Sequence, residues 1–161
     1  MLGAGTMGHG IAQVAAASGY DVLMRDIDEA STERGMKSIE RHLAKGIERG
    51  KVTEQEREET LARIRPTTDF AEIGNSDLVI EAAPENLELK QTLLRQTEEL
   101  VMSHCIFATN TSSLSISEIA KVSNRPTNVV GMHFFNPVHI MRLVEIVVSN
   151  ETSDETTAII R

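Results

Sequence analysis

The chain has 161 residues, of which 40% are hydrophobic and 3% aromatic, and its formal net charge is −8. This length suits one domain with an aliphatic core, and the acidic balance argues against nucleic acid or an anionic membrane as a partner. No apolar run approaches membrane-spanning length, and the first residues lack a signal-peptide pattern. The single cysteine, Cys105, cannot form an internal disulfide, which favours a reducing, cytoplasmic location.

The first motif is a glycine pattern, Gly3-x-Gly5-x-x-Gly8, which a helical pattern follows at once. Glycines at this spacing form the tight turn between strand and helix in dinucleotide-binding units. The N–H groups at the start of the helix then face the pyrophosphate of the ligand. Only Met1 and Leu2 precede the glycines, so we expect the first strand of the sheet to be truncated.

A second strand, over residues 20–24, leads to Asp26, about 20 residues past the glycines. A carboxylate at this spacing can accept both ribose hydroxyls of NAD and would repel the 2′-phosphate of NADP. The alternative is that Asp26 caps the next helix, since Asp28 and Glu29 follow it. The spacing favours the ribose.

An amphipathic helix is predicted over residues 31–49, followed by a second helix that the capping box at Thr53 and Glu56 opens. Basic residues recur every four positions on the first helix: Lys37, Arg41, Lys45 and Arg49. This stripe is either a surface for a phosphate-bearing ligand or an ordinary solvated face, because glutamates are interleaved with it.

The remaining elements alternate between strand and helix, which indicates an α/β fold with right-handed crossovers. Strands are predicted at 64–67, 77–82, 106–109, 129–134 and 143–148, and helices at 87–103, 115–122 and from residue 153. We therefore expect a Rossmann-type, mostly parallel sheet with helices on both faces. The two helices between residues 31 and 63 form an insertion after the second strand.

Ligands in such sheets bind beyond the carboxyl ends of the strands. The polar side chains at those ends are Asp26, Glu81 with Glu85, Asn110 with Ser112, and His133 with Asn136. His133 is the best acid–base candidate, because its unperturbed pKa is near neutrality. Glu145, on the returning strand, could face His133 and fix its tautomer. The alternative for His133 is a structural histidine at a strand end.

The other histidines, at positions 9, 42, 104 and 139, have no such company in the sequence and are expected to be structural or exposed. Cys105 adjoins an apolar strand and is expected to pack in the core rather than act as a nucleophile. No Cys/His cluster has the spacing of metal ligands, so no metal site is predicted.

Five motifs stand in a fixed order: Gly3-Ala4-Gly5-Thr6-Met7-Gly8, Glu85-Asn86, Asn110-Thr111-Ser112-Ser113, His133-Phe134-Phe135-Asn136-Pro137 and Leu143-Val144-Glu145. Together they resemble the NAD-binding domain of the L-3-hydroxyacyl-CoA dehydrogenases. This family includes 3-hydroxybutyryl-CoA dehydrogenases and the dehydrogenase part of fatty-acid-oxidation multienzymes. The resemblance covers nearly the whole chain and implies one NAD-binding domain over residues 1–161.

The resemblance implies NAD-dependent oxidation of the 3-hydroxyl of an acyl-CoA, with His133 as general base and Glu145 as its partner. Ser112 and Asn136 would lie at the reacting oxygen. The implied cofactor-binding residues are Gly3, Gly5, Thr6, Met7, Gly8, Asp26, Glu85, Lys90, Ser112 and Asn136. Those implied for coenzyme A are Ser112, Lys45 and Arg49.

Two features of the family pattern are absent from this sequence: most of the first strand, and a C-terminal helical domain through which the parent protein would form a homodimer. We therefore expect an NAD-binding domain that is incomplete at its N-terminus. Two other functions stay open: a related NAD-dependent hydroxy-acid or sugar-acid dehydrogenase, and a non-catalytic NAD-binding fragment.

Overall fold

The structure is a computed structural model, and it describes all residues from Met1 to Arg161. The chain forms two compact units. The first unit consists of Met1–Phe70 and Asn136–Arg142, and the second of Ala71–Phe135 and Leu143–Arg161.

The first unit contains three helices and two parallel strands. In chain order these are α1 (Gly8–Ala17), β1 (Val22–Arg25), α2 (Glu29–Glu48), α3 (Glu54–Ala62) and β2 (Ile64–Thr67). The strands pair from Val22 opposite Ile64 to Arg25 opposite Thr67. The predicted two-helix insertion after the strand at residues 20–24 is present, and it connects two strands that pair in parallel.

The residues before the glycine turn form a rudimentary first strand beside β1. Leu2 makes a parallel bridge with Arg25 and is almost fully buried. The N–H of Gly3 donates to the Arg25 carbonyl at 2.8 Å, and the N–H of Arg25 donates to the Met1 carbonyl at 2.9 Å. Even this short segment thus anchors the turn to the sheet.

Local sequence explains where the helices of the first unit start and stop. The Asp28 side chain accepts the N–H of Ser31 and so caps α2, which begins two residues before the predicted start. Thr53 and Glu56 form the expected reciprocal capping box of α3. Gly19 ends α1 with a φ of +96°, a conformation that glycine adopts without strain. The core consists of Ala4, Ala12, Ala16, Met24, Ile39, Leu43 and Ile64.

The second unit contains a four-stranded sheet. Its helices and strands are β3 (Leu78–Glu81), α4 (Leu87–Leu100), β4 (Ile106–Thr109), α5 (Ile116–Ala120), β5 (Val129–Phe134), β6 (Val144–Val147) and α6 (Asp154–Ile160). The order is β3-β4-β5-β6, with the first three strands parallel and β6 antiparallel to β5. The predicted mostly parallel α/β fold is confirmed.

Strand β4 is buried along its full length, as expected for an inner strand of a parallel sheet. Asn86, Ser115 and Ser153 cap α4, α5 and α6 by accepting backbone N–H groups. Helix α4 ends at Leu100 rather than at residue 103. Beyond that end, the Arg125 guanidinium donates to the Met102 carbonyl at 2.8 Å.

None of the helices combines the length and the apolar character needed to cross a lipid bilayer.

Candidate active site

The glycine turn divides two tasks between Gly8 and Gly5. A Cβ atom at Gly8 would lie 1.8 Å from the carbonyl oxygen of Gly3, so only glycine fits there. A Cβ at Gly5 would meet nothing within 4 Å. Gly8 is thus required for packing inside the turn, whereas Gly5 presents open backbone to whatever lies beside it. In dinucleotide-binding motifs the second glycine likewise lets the backbone approach the pyrophosphate, and the third allows close packing.

A cavity of about 260 Å³ opens beside this turn in the first unit. Its lining includes Ala4, Gly5, Thr6 and Asp26. Met7, another predicted cofactor-binding residue, stands at the N-cap of α1 and makes no side-chain capping bond there. The Met7 side chain therefore does not cap the N–H groups at the start of α1, which suits the binding of an anion.

Asp26 joins the glycine turn to the end of β1. One carboxylate oxygen accepts the N–H of Ala4 at 2.7 Å and the other accepts the N–H of Ile27 at 2.7 Å. Because Asp28 caps α2, the alternative role of Asp26 as the helix cap is wrong. The Asp26 carboxylate instead lines the cavity.

One face of α2 forms the far wall of this cavity, which the sequence analysis missed. The residues are Ser31, Arg34, Gly35 and Ser38. They recur at i, i+3, i+4 and i+7, the spacing of a single helix face. A Cβ at Gly35 would lie 3.0 Å from the Ala4 carbonyl oxygen, so this glycine lets α2 approach the turn.

The second unit contains the predicted histidine–glutamate pair. His133 and Glu145 stand opposite each other in the antiparallel register of β5 and β6. The Nδ1 atom of His133 lies 2.8 Å from a Glu145 carboxylate oxygen. The histidine side chain is 22% exposed and the glutamate 54%. The expected contact is confirmed, and it leaves Nε2 of the imidazole available to another group.

The Glu85 carboxylate organises the loop that follows β4. One oxygen accepts the Thr111 hydroxyl, the N–H groups of Ser112 and Ser113 at 3.1 and 3.2 Å, and the Ser113 hydroxyl at 3.1 Å. Burial raises the pKa of Glu85, but these hydrogen bonds and the charge of Lys90 outweigh it and lower the pKa overall. Ser112 therefore lies on a loop that an ionised carboxylate holds.

Lys90 lies inside the second unit, with its side chain only 1% exposed. Its ammonium donates to both oxygens of Glu81, at 2.8 and 3.0 Å, and to the Ala83 carbonyl at 3.1 Å. These partners engage all three N–H donors of Lys90. Direct contact between Lys90 and a cofactor, which the family resemblance implies, stays a prediction.

The other predicted residues fall into both units. Asn110 accepts the N–H of Phe134 at 2.8 Å and so ties the end of β4 to the end of β5. Asn136 belongs to the first unit and is exposed. Lys45 and Arg49, the predicted coenzyme A residues, are exposed at the end of α2.

Three histidines that appear isolated in the sequence form a cluster in the first unit. The ring centroids of His42 and His139 lie 4.1 Å apart, and those of His9 and His42 lie 5.4 Å apart. Burial and the neighbouring histidines lower the pKa of His42 to about 4. No group of three or more His, Cys, Asp or Glu side chains is arranged to hold a metal ion.

Comparison with known proteins identifies the family. The model of the 3-hydroxyacyl-CoA dehydrogenase, NAD binding domain, matches residues 1–161. The chain belongs to this family. NAD, the cofactor predicted from Asp26 and the glycines, is the cofactor that this domain family binds.

Relatives of this 3-hydroxyacyl-CoA dehydrogenase domain are longer than the chain. It is 46% identical to the fatty acid oxidation complex subunit alpha of Psychrobacter arcticus over 98% of its length, but spans only 22% of that relative. Its structure is similar to (S)-3-hydroxybutyryl-CoA dehydrogenase from Ralstonia eutropha, with 43% identity and a TM-score of 0.96, covering 99% of this chain and 56% of that one. It is also similar to 3-hydroxybutyryl-CoA dehydrogenase from Escherichia coli, with 43% identity and a TM-score of 0.96. That match covers 98% of this chain and 34% of the other.

Proposed function

We propose that the protein containing this domain oxidises the 3-hydroxyl of an L-3-hydroxyacyl-CoA to a ketone with NAD. The observation that carries the proposal is the 2.8 Å contact between His133 and Glu145 in a chain of the 3-hydroxyacyl-CoA dehydrogenase family. The contact supplies an oriented base, which removal of a hydroxyl proton requires.

His133 is the proposed general base. With Nδ1–H donated to the Glu145 carboxylate, Nε2 is the acceptor nitrogen and can take the hydroxyl proton of the substrate. Glu145 then stabilises the imidazolium that forms, as the carboxylate does in other carboxylate–histidine pairs. NAD, when bound, supplies the hydride acceptor for C3 of the substrate. Ser112 and Asn136 are proposed to position the reacting oxygen.

The first unit is proposed to bind the pyrophosphate and the adenosine ribose of NAD. The open backbone at Gly5 and the uncapped start of α1 suit the pyrophosphate, and Thr6 and Asp26 line the adjoining cavity. The Asp26 carboxylate is proposed to accept hydrogen bonds from the ribose hydroxyls. Glu85 and Lys90 are proposed to serve the nicotinamide end in the second unit.

Coenzyme A, the dimer and the location are further proposals. Lys45 and Arg49 carry exposed positive charges at the end of α2, and these suit the phosphates of coenzyme A. A homodimer formed through a C-terminal helical domain remains a proposal about the longer protein. A cytoplasmic location rests on the lone cysteine and on the fatty-acid-oxidation relatives.

Substitution of His133 tests the proposed function directly. In the full-length protein, we expect His133→Gln to lower kcat for reduction of acetoacetyl-CoA, in which His133 returns the proton as a general acid, by about 10²–10⁴-fold, the range for loss of an acid–base group. NADH oxidation is followed spectrophotometrically, and NAD affinity, measured by calorimetry, should barely change. His104→Gln is the matched control, since His104 is an exposed histidine beside Asp77.

Three results would contradict this proposal in different ways. Full activity of His133→Gln would remove His133 from the mechanism. Equal turnover of free acetoacetate would favour a hydroxy-acid dehydrogenase. NAD binding without turnover by the full-length wild-type protein would favour a non-catalytic module.

Cofactor selectivity tests Asp26 separately. Asp26→Asn keeps one oxygen, which can accept the Ala4 N–H, but it removes the charge and the acceptor for the Ile27 N–H. We expect weaker NAD binding and a smaller preference for NAD over NADP, because the 2′-phosphate is no longer repelled. An unchanged ratio of the dissociation constants for NAD and NADP would show that Asp26 does not contact the ribose hydroxyls.

A further inference from the structure

A buried charge network of Glu81 and Lys90 adjoins Glu85, which holds the loop that carries Ser112, and Glu81 is its innermost member. The Glu81 side chain is fully buried at the end of β3. Three groups donate four hydrogen bonds to its carboxylate: Nζ of Lys90, which reaches both oxygens, the N–H of Ala83, and the Thr109 hydroxyl at 2.7 Å. Burying a carboxylate costs desolvation free energy, and these partners offset part of that cost.

The Lys90 ammonium lies between the carboxylates of Glu81 and Glu85 and is closer to the buried one, Glu81. Its Nζ atom lies 2.8 Å from Glu81 but 3.6 Å from the nearer oxygen of Glu85. The other Glu85 oxygen accepts every donor from the loop after β4. Glu81 therefore holds the ammonium away from the oxygen that binds the loop.

We propose that Glu81 is a positioning residue for hydride transfer: through Lys90 it keeps the Glu85 carboxylate free to fix the loop that carries Ser112. This inference rests on the proposed function, in which Ser112 lies at the reacting oxygen. Without the Glu81 charge, Lys90 forms its full ion pair with Glu85. The ammonium then competes with Thr111 and Ser113 for the same carboxylate.

Few charged groups surround Glu85, and Lys90 is the cation beside it. Helix α4 contributes Lys90 and strand β3 contributes Glu81, whereas the loop after β4 contributes hydroxyl and N–H groups. Lys90 helps to keep the pKa of Glu85 low. Its removal should therefore let Glu85 protonate, and release the loop, at a higher pH.

The test uses the full-length protein with Glu81→Gln, Thr109→Val and Lys90→Met. We expect Glu81→Gln to lower kcat for acetoacetyl-CoA by about tenfold with KM within about twofold, which corresponds to loss of one oriented interaction in the transition state. Thr109→Val removes one donor to Glu81 without changing charge and should act in the same direction but more weakly. Lys90→Met should move the acid limb of the kcat–pH profile to higher pH.

Glu118→Gln is the control, because the Glu118 side chain is 47% exposed and pairs with the exposed side chain of Lys121. Activity is measured below the unfolding transition of each variant, with Thr109→Val serving if Glu81→Gln does not fold. Unchanged kcat in folded Glu81→Gln or Thr109→Val, or an unmoved acid limb in Lys90→Met, would overturn the positioning role alone. An inactive wild-type protein would instead overturn the proposed function on which it rests.

Discussion

The candidate binding features of the two units differ in kind. In the first unit the key features are backbone and space: a glycine that nothing crowds, an uncapped helix start and a cavity of about 260 Å³. In the second unit they are charged side chains, with Glu81 and Lys90 almost fully buried and His133 bonded to Glu145. The first unit is thus sensitive to added atoms, and the second to lost charges.

The largest effect on stability is expected from the buried pair in the second unit. Lys90→Met in the full-length protein should lower the free energy of unfolding by about 3–5 kcal/mol, because it leaves the Glu81 charge buried without its partner. Denaturant unfolding measures the change. The double variant Glu81→Gln with Lys90→Met should recover most of it, and a double variant as unstable as the single one would refute this explanation.

A smaller but still clear effect is expected from an added methyl group in the first unit. Gly8→Ala should destabilise the protein by at least about 1–3 kcal/mol, since its Cβ would overlap the Gly3 carbonyl oxygen. Gly5→Ala is the matched control: it should unfold like wild type yet bind NAD more weakly. If both variants lost stability equally, the division of tasks within the turn would be wrong.

The histidine cluster should make the first unit sensitive to acid. The folded-state pKa of His42 is about 4, below its ordinary value of 6.5, so the unfolded chain binds the proton more readily. Stability is therefore full above about pH 6.5 and is lost as pH falls toward 4. For this partly exposed group we expect a loss on the order of 1 kcal/mol.

His42→Gln should remove this component of the pH dependence, whereas His104→Gln should leave it in place. Thermal unfolding midpoints of both variants and of wild type between pH 7 and pH 4.5 give the comparison. Parallel curves for wild type and His42→Gln would mean that the cluster does not contribute.

The smallest effect is expected at Cys105. Cys105 is 4% exposed in the second unit, and burial raises the pKa of its thiol to about 11. It should resist iodoacetamide at pH 8 in the folded protein and react fully after unfolding, because the thiolate is the reactive form. Mass spectrometry of the two reactions shows the difference; rapid labelling of the folded protein would contradict the expected packing.

The limits of strands that depend on residues close in sequence were predicted correctly. Strands β4 and β5 begin and end where expected, since each is a short apolar run bounded by turn residues. The register that places His133 opposite Glu145 was predicted only as a possibility, because strand pairing depends on more than the two segments. The catalytic and binding roles of these residues stay predictions.

The side-chain contacts that the sequence did not predict join separate secondary-structure elements or segments distant along the chain. Glu81 and Lys90 meet because a strand end and the first turns of a helix converge, which no spacing rule encodes. His139 reaches His42 from the segment Asn136–Arg142, far along the chain. The face of α2 that carries Arg34 has a regular spacing, but the basic stripe of Lys37, Arg41, Lys45 and Arg49 is the more conspicuous pattern on this helix in the sequence.

The segment Asn136–Arg142 also has a consequence for how the protein is made. It belongs to the first unit, where the Val138 side chain occupies the space beside Gly10 of α1 and is itself buried. A nascent chain therefore cannot complete its first unit until the ribosome has synthesised strands β3, β4 and β5 of the second. Most of the second unit is thus synthesised before the first is complete, unlike successive domains, which fold one after the other.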